Sequence, residues 1–247
     1  SPWVLVVNVL KPHFPHTAPP DDWDLYEDFE DLPTYGKESQ SAQHPHARGL
    51  RAHFQTDGFA DADARGLRRG YYACITFVDD QLGRLLDALS ETGLHDTTNV
   101  VYTSDHGEML GKFGMWWKCS LYEDASRIPM IAAGPDFPTG TRISTPVDLH
   151  DLQAAMFAVT GARQPDGWLG TPLPAIPVND PSRVVFSEYH GHGARGSAYM
   201  IRKSRWKYLY YVGMPAQLFD LEADPEELTN LADAKIDIAA EMEQAFA

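Results

Sequence analysis

The densest chemistry in the sequence lies at Thr103-Ser104-Asp105-His106-Gly107-Glu108, where a β-branched run ends in a carboxylate, an imidazole and a glycine. Adjacent Asp and His at a strand end can face one ion, because the chain leaves the pleat there and Gly107 permits a sharp turn. Carboxylate oxygen with a single imidazole suits Ca²⁺, Mg²⁺ or Mn²⁺ better than zinc. The same pair could equally cap a turn. Twelve residues beyond His106, Lys118 sits within Gly114-Met115-Trp116-Trp117-Lys118-Cys119-Ser120. An ammonium among tryptophans needs an anionic partner such as sulfate or phosphate, unless it snorkels to water. Lys11-Pro12-His13-Phe14-Pro15-His16 offers two imidazoles in a Pro-stiffened loop. His13 could donate a hydrogen bond to an oxyanion or protonate a leaving group. Lys11 and Lys112 read as ordinary loop residues.

These side chains need elements to hold them. Trp3 to Leu10 is a Val-rich apolar run ended by Lys11-Pro12, which predicts a strand buried on both faces of a parallel sheet. From Pro12 to about Asp63 the chain is dense in Pro, Asp, His and Gly, which predicts a long surface excursion; His44, His46 and His53 belong to it as surface residues. Tyr71, Ile75, Val78, Leu82, Leu85 and Leu89 recur at helical spacing and place an amphipathic helix over 67–92, closed by Gly93. Val100 to Thr103 is a second strand, and the order strand, insertion, helix, strand predicts a crossover unit. Ligands of open α/β sheets gather beyond the carboxyl ends of strands, which puts His13 and Asp105-His106 at such ends. Pro129 to Ala133 is a third apolar run, and Val147 to Val159 a helix ended by Gly161. Beyond 180, four short runs at Val184–Tyr189, Ala198–Arg202, Trp206–Tyr211 and Gln217–Leu221 predict antiparallel hairpins, followed by a helix from Ile236. Gly191-His192-Gly193-Ala194-Arg195-Gly196 spells a dinucleotide fingerprint, but a strand and not a helix follows it, so it reads as a glycine-rich hairpin.

A chain of 247 residues, 43% hydrophobic, can bury a sizeable core. With 35 acidic against 20 basic residues its formal charge of -15 repels a phosphate backbone, which argues against nucleic acid as a partner. A small anion could bind only where a metal ion and local cations reverse the field. Two cysteines, Cys74 and Cys119, make neither a disulfide framework nor a thiolate cage, and Cys119 reads as a packed small residue. No run reaches membrane-spanning length, so no membrane partner is expected. Opening directly on a strand suggests a chain that begins partway through a larger protein.

Taken in order along nearly the whole chain, several stretches resemble the sulfatase family of the alkaline-phosphatase-like superfamily. They are Lys11-Pro12-His13-x-Pro15, the helix ending Phe77-Val78-Asp79-Asp80-Gln81-Leu82-Gly83-Arg84-Leu85-Leu86, Thr103 to Gly111 with Lys118 downstream, Met200 to Tyr208, and Gln217 to Leu231. The resemblance implies an α/β fold, an α/β/α sandwich around a mixed sheet, with residues 1–180 forming the C-terminal part of the catalytic domain and 181–247 a small antiparallel subdomain. It implies that Asp105 and His106 are half of a divalent-metal site, Ca²⁺ first with Mn²⁺ or Mg²⁺ as alternatives, and that His13 and Lys118 contact the sulfate. It also implies that the C-terminal hairpin borders the substrate mouth, so Tyr189, His190, His192 and Arg195 are candidates for substrate selection.

The sequence departs from the family in one respect. The family's nucleophile is a formylglycine made from a Cys/Ser-x-Pro-x-Arg stretch, and no such stretch is present; Cys74-Ile75-Thr76 and Cys119-Ser120-Leu121 do not begin one. The family's opening Asp-Asp pair is also absent, Asp21-Asp22 and Asp79-Asp80 standing in other contexts. The expectation is a sulfuric ester hydrolase that takes its nucleophile from an N-terminal part of the same protein and a small sulfated compound as substrate. Two alternatives stay open: a phosphodiesterase or phosphonate monoester hydrolase of the same superfamily, and a non-catalytic fragment that binds metal or sulfated ligand. A homo-oligomer and the cellular compartment are left open too.

Overall fold

The computed structural model describes residues 2–246. Its helices are α1 (Pro20–Asp24), α2 (Pro45–Phe54), α3 (Asp61–Glu91), α4 (Glu123–Ser126), α5 (Leu149–Thr160) and α6 (Ile236–Gln244). Its strands are β1 (Val100–Thr103), β2 (Met130–Ala133), β3 (Val184–Tyr189), β4 (Ala198–Lys203), β5 (Trp206–Tyr211) and β6 (Gln217–Asp220). No helix among the described residues is long and apolar enough to cross a membrane.

The C-terminal sheet forms at the four short runs that predicted it. Strands β3, β4, β5 and β6 pair in that order, every neighbour antiparallel, with Phe186 opposite Ile201 and Ile201 opposite Tyr208. Period-two alternation gives the sheet two apolar faces. Leu209, Tyr211 and Phe219 join Met109, Phe113, Tyr122 and Leu50 in the larger core, whereas Tyr208, Leu218 and Ile201 pack with Met242 of α6. The segment 109–125 is thereby clamped between helix α2 and the sheet, which fixes the loop that carries Lys118.

Buried charges reinforce the clamp. The Lys207 ammonium on β5 is fully buried and contacts Glu123 and Glu227, each at 2.9 Å. Glu227 also accepts the Glu123 backbone N–H at 2.6 Å, tying the C-terminal loop to the start of α4. Burial pushes the Glu227 carboxyl above its ordinary value. Burial acts the same way on Glu123, yet the Lys207 ammonium prevails and holds that carboxyl below the usual range. Lys112, read from sequence as a loop residue, is a second structural cation: it is buried and paired with Asp124 at 2.7 Å and Glu226 at 2.8 Å.

The first half of the chain departs from the sequence reading. The run Trp3 to Leu10 forms no strand and is exposed, Leu5 by 69% and Leu10 by 81%. A strand exists only where a neighbouring strand takes its N–H and C=O groups, and among the described residues no strand pairs with this run, the Leu10 carbonyl accepting only the His13 N–H of the following turn. Among the described residues the expected parallel crossover is accordingly not formed: β1 pairs there with β2 alone, antiparallel, with Val100 opposite Ala133 and Thr103 opposite Met130. Leu85 and Leu86 of α3 are exposed as well, so the apolar side of that helix has no sheet layer beneath its C-terminal turns.

The excursion over 12–63 is also more ordered than its composition suggests. Pro45 occupies the first turn of α2 and the His44 ring accepts the His46 backbone N–H at its cap. Ala47 and Leu50 pack into the larger core, joined by Phe54, a spacing that could have announced the helix. His44 and His46, expected at the surface, are buried, each packed against Tyr211 with ring centroids 4.7 Å apart and planes tilted by 35°. Burial lowers His46 to about 4.

Candidate active site

Strand β1 ends at Thr103, and the next residues turn back under local hydrogen bonds. The Ser104 hydroxyl donates to the His106 carbonyl at 2.8 Å, and the His106 N–H donates to Asp105 Oδ1 at 3.0 Å. His106 Nδ1 lies 2.9 Å from the Gly107 carbonyl, which can only accept, so Nδ1 carries the ring proton. That leaves the Nε2 lone pair facing Asp105 Oδ2 across 3.5 Å. Two donor atoms of metal-ligand type thus converge on one point, with the second ring nitrogen held as ligating imidazoles usually are. The Asp105 carboxylate is 80% exposed, so the pair opens outward. Asp105 and His106 could hold a divalent cation only as part of a larger coordination shell, and among the described residues no group of three or more His, Cys, Asp or Glu gathers.

Gly107 serves close approach and is not among the glycines with positive φ. Its N–H donates to the Ala125 carbonyl and that of Glu108 to the Asp124 carbonyl, both at 2.8 Å. A Cβ at Gly107 would lie 2.0 Å from the Asp124 oxygen, a collision with backbone.

The loop from Glu108 to Lys118 folds back on itself through Met109 N–H to Trp117 carbonyl and Gly111 N–H to Met115 carbonyl, both 2.9 Å. Glu108 pins its two ends: one carboxylate oxygen accepts the N–H groups of Leu110 and Trp117. Burial pushes this carboxyl up, opposed by those two N–H groups and by the charges of Lys118 and His13 nearby. Glu108 had no role assignable from its type alone, although a carboxylate between an Asp-His pair and a loop lysine was the available signal.

Opposite stands the His13 loop. The Lys118 Nζ is 2.6 Å from His13 Nε2, and His13 Nδ1 is 2.7 Å from the Phe14 carbonyl. The carbonyl fixes the proton on Nδ1, so Nε2 accepts from the lysine. Lys118 also lies 5.0 Å from the Phe14 ring centroid. Phe14 meets Trp117 at 5.8 Å, and Trp117 meets Phe54 at 5.0 Å, so an aromatic wall flanks the ammonium. Lys11 turns away to Thr17 at 2.8 Å.

The wall extends to the β3–β4 hairpin. Phe54 meets His192 at 5.3 Å, and His53 Nε2 lies 3.2 Å from His192 Nε2. Tyr189 donates its hydroxyl to the His192 carbonyl at 2.9 Å. Arg195 runs along Gly49 of α2, where a Cβ would meet its Nε at 3.3 Å. His190 instead faces Glu188 at 3.1 Å and Tyr199, away from this group. The structure therefore brings His13 and Lys118 together, sets Asp105 beside His106, and links His192 to the Lys118 loop through Phe54. Cys119 is a buried free thiol against the same core.

The chain as a whole resembles known proteins. The Sulfatase family model matches residues 1–162, and the model for N-sulphoglucosamine sulphohydrolase, C-terminal, matches 111–246. The chain is 36% identical over 239 residues to choline-sulfatase of Rhizobium meliloti (strain 1021), covering 94% of this chain and 46% of that protein. It is 38% identical over 191 residues to arylsulfatase K of Xenopus laevis, covering 72% of this chain and 36% of that protein. Among solved structures, phosphonate monoester hydrolase SpPMH from Silicibacter pomeroyi superposes with a TM-score of 0.82 at 26% identity, over 95% of this chain and 53% of its own. The chain spans less than half the length of these two curated relatives. Its mixed α/β architecture is that of the alkaline-phosphatase-like sulfatases, whose members generally depend on a metal ion. On sequence and on fold together, this chain belongs to the sulfatase family.

Proposed function

We propose that this chain is the C-terminal portion of a metal-dependent sulfuric ester hydrolase, and that the remaining N-terminal part of the protein supplies a formylglycine nucleophile. The observation that carries the reading is the 2.6 Å contact between Lys118 and His13, formed beside an aromatic wall and joined through Glu108 to the Asp105-His106 turn. Lys118 gives a fixed positive charge for a sulfate oxygen, and His13, once its Nε2 lone pair has taken up a proton from solvent, is an acid able to pass that proton to the departing alcohol. A divalent cation, Ca²⁺ first and Mn²⁺ or Mg²⁺ next, would be held on Asp105 and His106 with further ligands from the N-terminal part. When bound it would offset charge on the group being transferred. A small sulfated compound would be the substrate, with Tyr189, His192 and Arg195 near its alcohol side and His190 further off. The division into a catalytic part at 1–180 and a C-terminal subdomain at 181–247 belongs to the same reading.

The test is a side-by-side assay of the full-length protein on a sulfate monoester, a phosphodiester and a phosphonate monoester. Sulfate-ester hydrolysis that is lost on chelation and in Lys118→Ala supports the proposal. Preferential cleavage of the phosphorus esters, or no hydrolysis of any of the three, overturns it.

A further inference from the structure

Outside the Lys118 pocket the structure holds a second pair of nitrogen donors. His53 stands in the last turn of α2, His192 in the hairpin between β3 and β4, and 139 residues separate them, yet their Nε2 atoms are 3.2 Å apart with the rings nearly perpendicular at 84°. Two nitrogens bound at about 2.0–2.1 Å to a tetrahedral ion lie roughly 3.3 Å apart, so the observed separation, which a hydrogen bond between the two rings now spans, also matches the bite of a chelate. Both rings are exposed, which leaves room for water to complete a coordination shell.

The scaffold holds this separation from both sides. Gly193, at φ +82°, lets the hairpin backbone come so close that a Cβ would touch His53 Cδ2 and Phe54 Cε2, each at 3.1 Å. Tyr189 fixes the His192 carbonyl from below, and Phe54 packs against the His192 ring at 5.3 Å. Neither imidazole therefore has to travel to meet the other, and binding would replace a single shared proton by an ion. The formal charge of -15 over the chain draws cations toward the surface.

We infer that His53 and His192 form a bidentate site for a borderline transition-metal ion of the Zn²⁺, Ni²⁺ or Cu²⁺ class, distinct from the Asp105-His106 turn. Imidazole-only donors select that class, whereas the carboxylate of the turn suits harder cations. The inference does not depend on sulfate-ester hydrolysis. An ion seated there staples the hairpin to α2 one aromatic layer from Lys118, at the edge of the wall formed by Phe54 and Trp117.

The experiment is calorimetric titration of Zn²⁺, and separately Ni²⁺, into the metal-stripped protein at neutral pH, with His ring resonances followed by NMR. One saturable equivalent is expected in the wild type and in His106→Ala, absent in His53→Ala and in His192→Ala, with the ring signals of both residues shifting together. Because both side chains are exposed, the two variants should retain the wild-type circular dichroism spectrum; His53→Gln and His192→Gln repeat the measurement with less change of size. Saturable binding that survives in either single variant overturns the inference, as does its loss only in His106→Ala, or the absence of a saturable event in the wild type.

Discussion

The Lys118 ammonium donates to the Nε2 lone pair of His13 at 2.6 Å across 105 residues of sequence. One is set by a loop that Glu108 pins and the other by a carbonyl that orients the ring. Their pairing gives a cation and a proton carrier one shared position.

Removing either partner should therefore cost activity and leave the fold intact. In the full-length protein, Lys118→Ala should lower kcat/KM for a sulfate ester by about 10²–10³-fold, the usual loss when one preorganised charge is withdrawn from a transition state. His13→Ala should cost about 10²–10⁴-fold, as for a missing general acid. Steady-state kinetics with parallel thermal melts checks both, and a matching collapse of the melting transition would argue against a role in catalysis.

Gly107→Ala should destabilise the protein, because the added methyl meets the Asp124 carbonyl oxygen at 2.0 Å. Relief requires parting the backbone pairing of 107–108 with 124–125, and overpacking of this kind costs typically ~1–3 kcal/mol. Urea unfolding measures the loss. The same displacement tilts the Asp105-His106 turn, so the activity of the full-length protein should fall beyond what its stability alone accounts for.

Lys207→Ala strands Glu227 in the core, since both side chains are 0% exposed. Breaking one partner out of a buried pair costs about 3–5 kcal/mol. Lys207→Met combined with Glu227→Gln should recover part of that loss, because the second change removes the stranded charge. A double-mutant cycle in denaturant reads the coupling, and purely additive losses would contradict it.

Acid should weaken the fold through His46. Burial holds this imidazole at about 4 in the native state against its ordinary 6.5, so the folded form takes up the proton less readily than the unfolded one. The sign follows: stability is full above about pH 6.5, falls as pH drops toward about 4, and levels off below it. The share owed to His46 is roughly 3–4 kcal/mol at about 1.4 kcal/mol for each step of one in pKa. Melts of wild type and His46→Phe between those limits should show a shallower slope in the variant. Burial lowers His16 and His44 as well, so part of the slope persists.

Local chemistry made some of this legible in advance. The hairpins of 184–220 were legible as four short strand-like runs and formed at those runs, and Gly161 closed α5 as a helix stop does. Spacing along the sequence could not reveal that Glu108 reaches the Trp117 N–H, nor that Lys112 is buried between Asp124 and Glu226, because both depend on a loop folding back on itself. Helix α2 was hidden by its Pro- and His-rich flanks, although Pro45, Ala47, Leu50 and Phe54 carried its signal. The run from Trp3 to Leu10 failed for another reason: β-propensity describes what a segment would do beside a partner strand, and cannot supply the partner.

That run also sets how the isolated polypeptide will behave in a test tube. Val4-Leu5-Val6-Val7-Asn8-Val9-Leu10 is apolar, uncharged and free of proline, and its side chains largely face water. Such a segment is a template for edge-to-edge pairing between molecules. Expressed without a covering strand, the chain should self-associate as concentration rises. A lysine at Val6, or co-expression with the N-terminal part, should restore solubility.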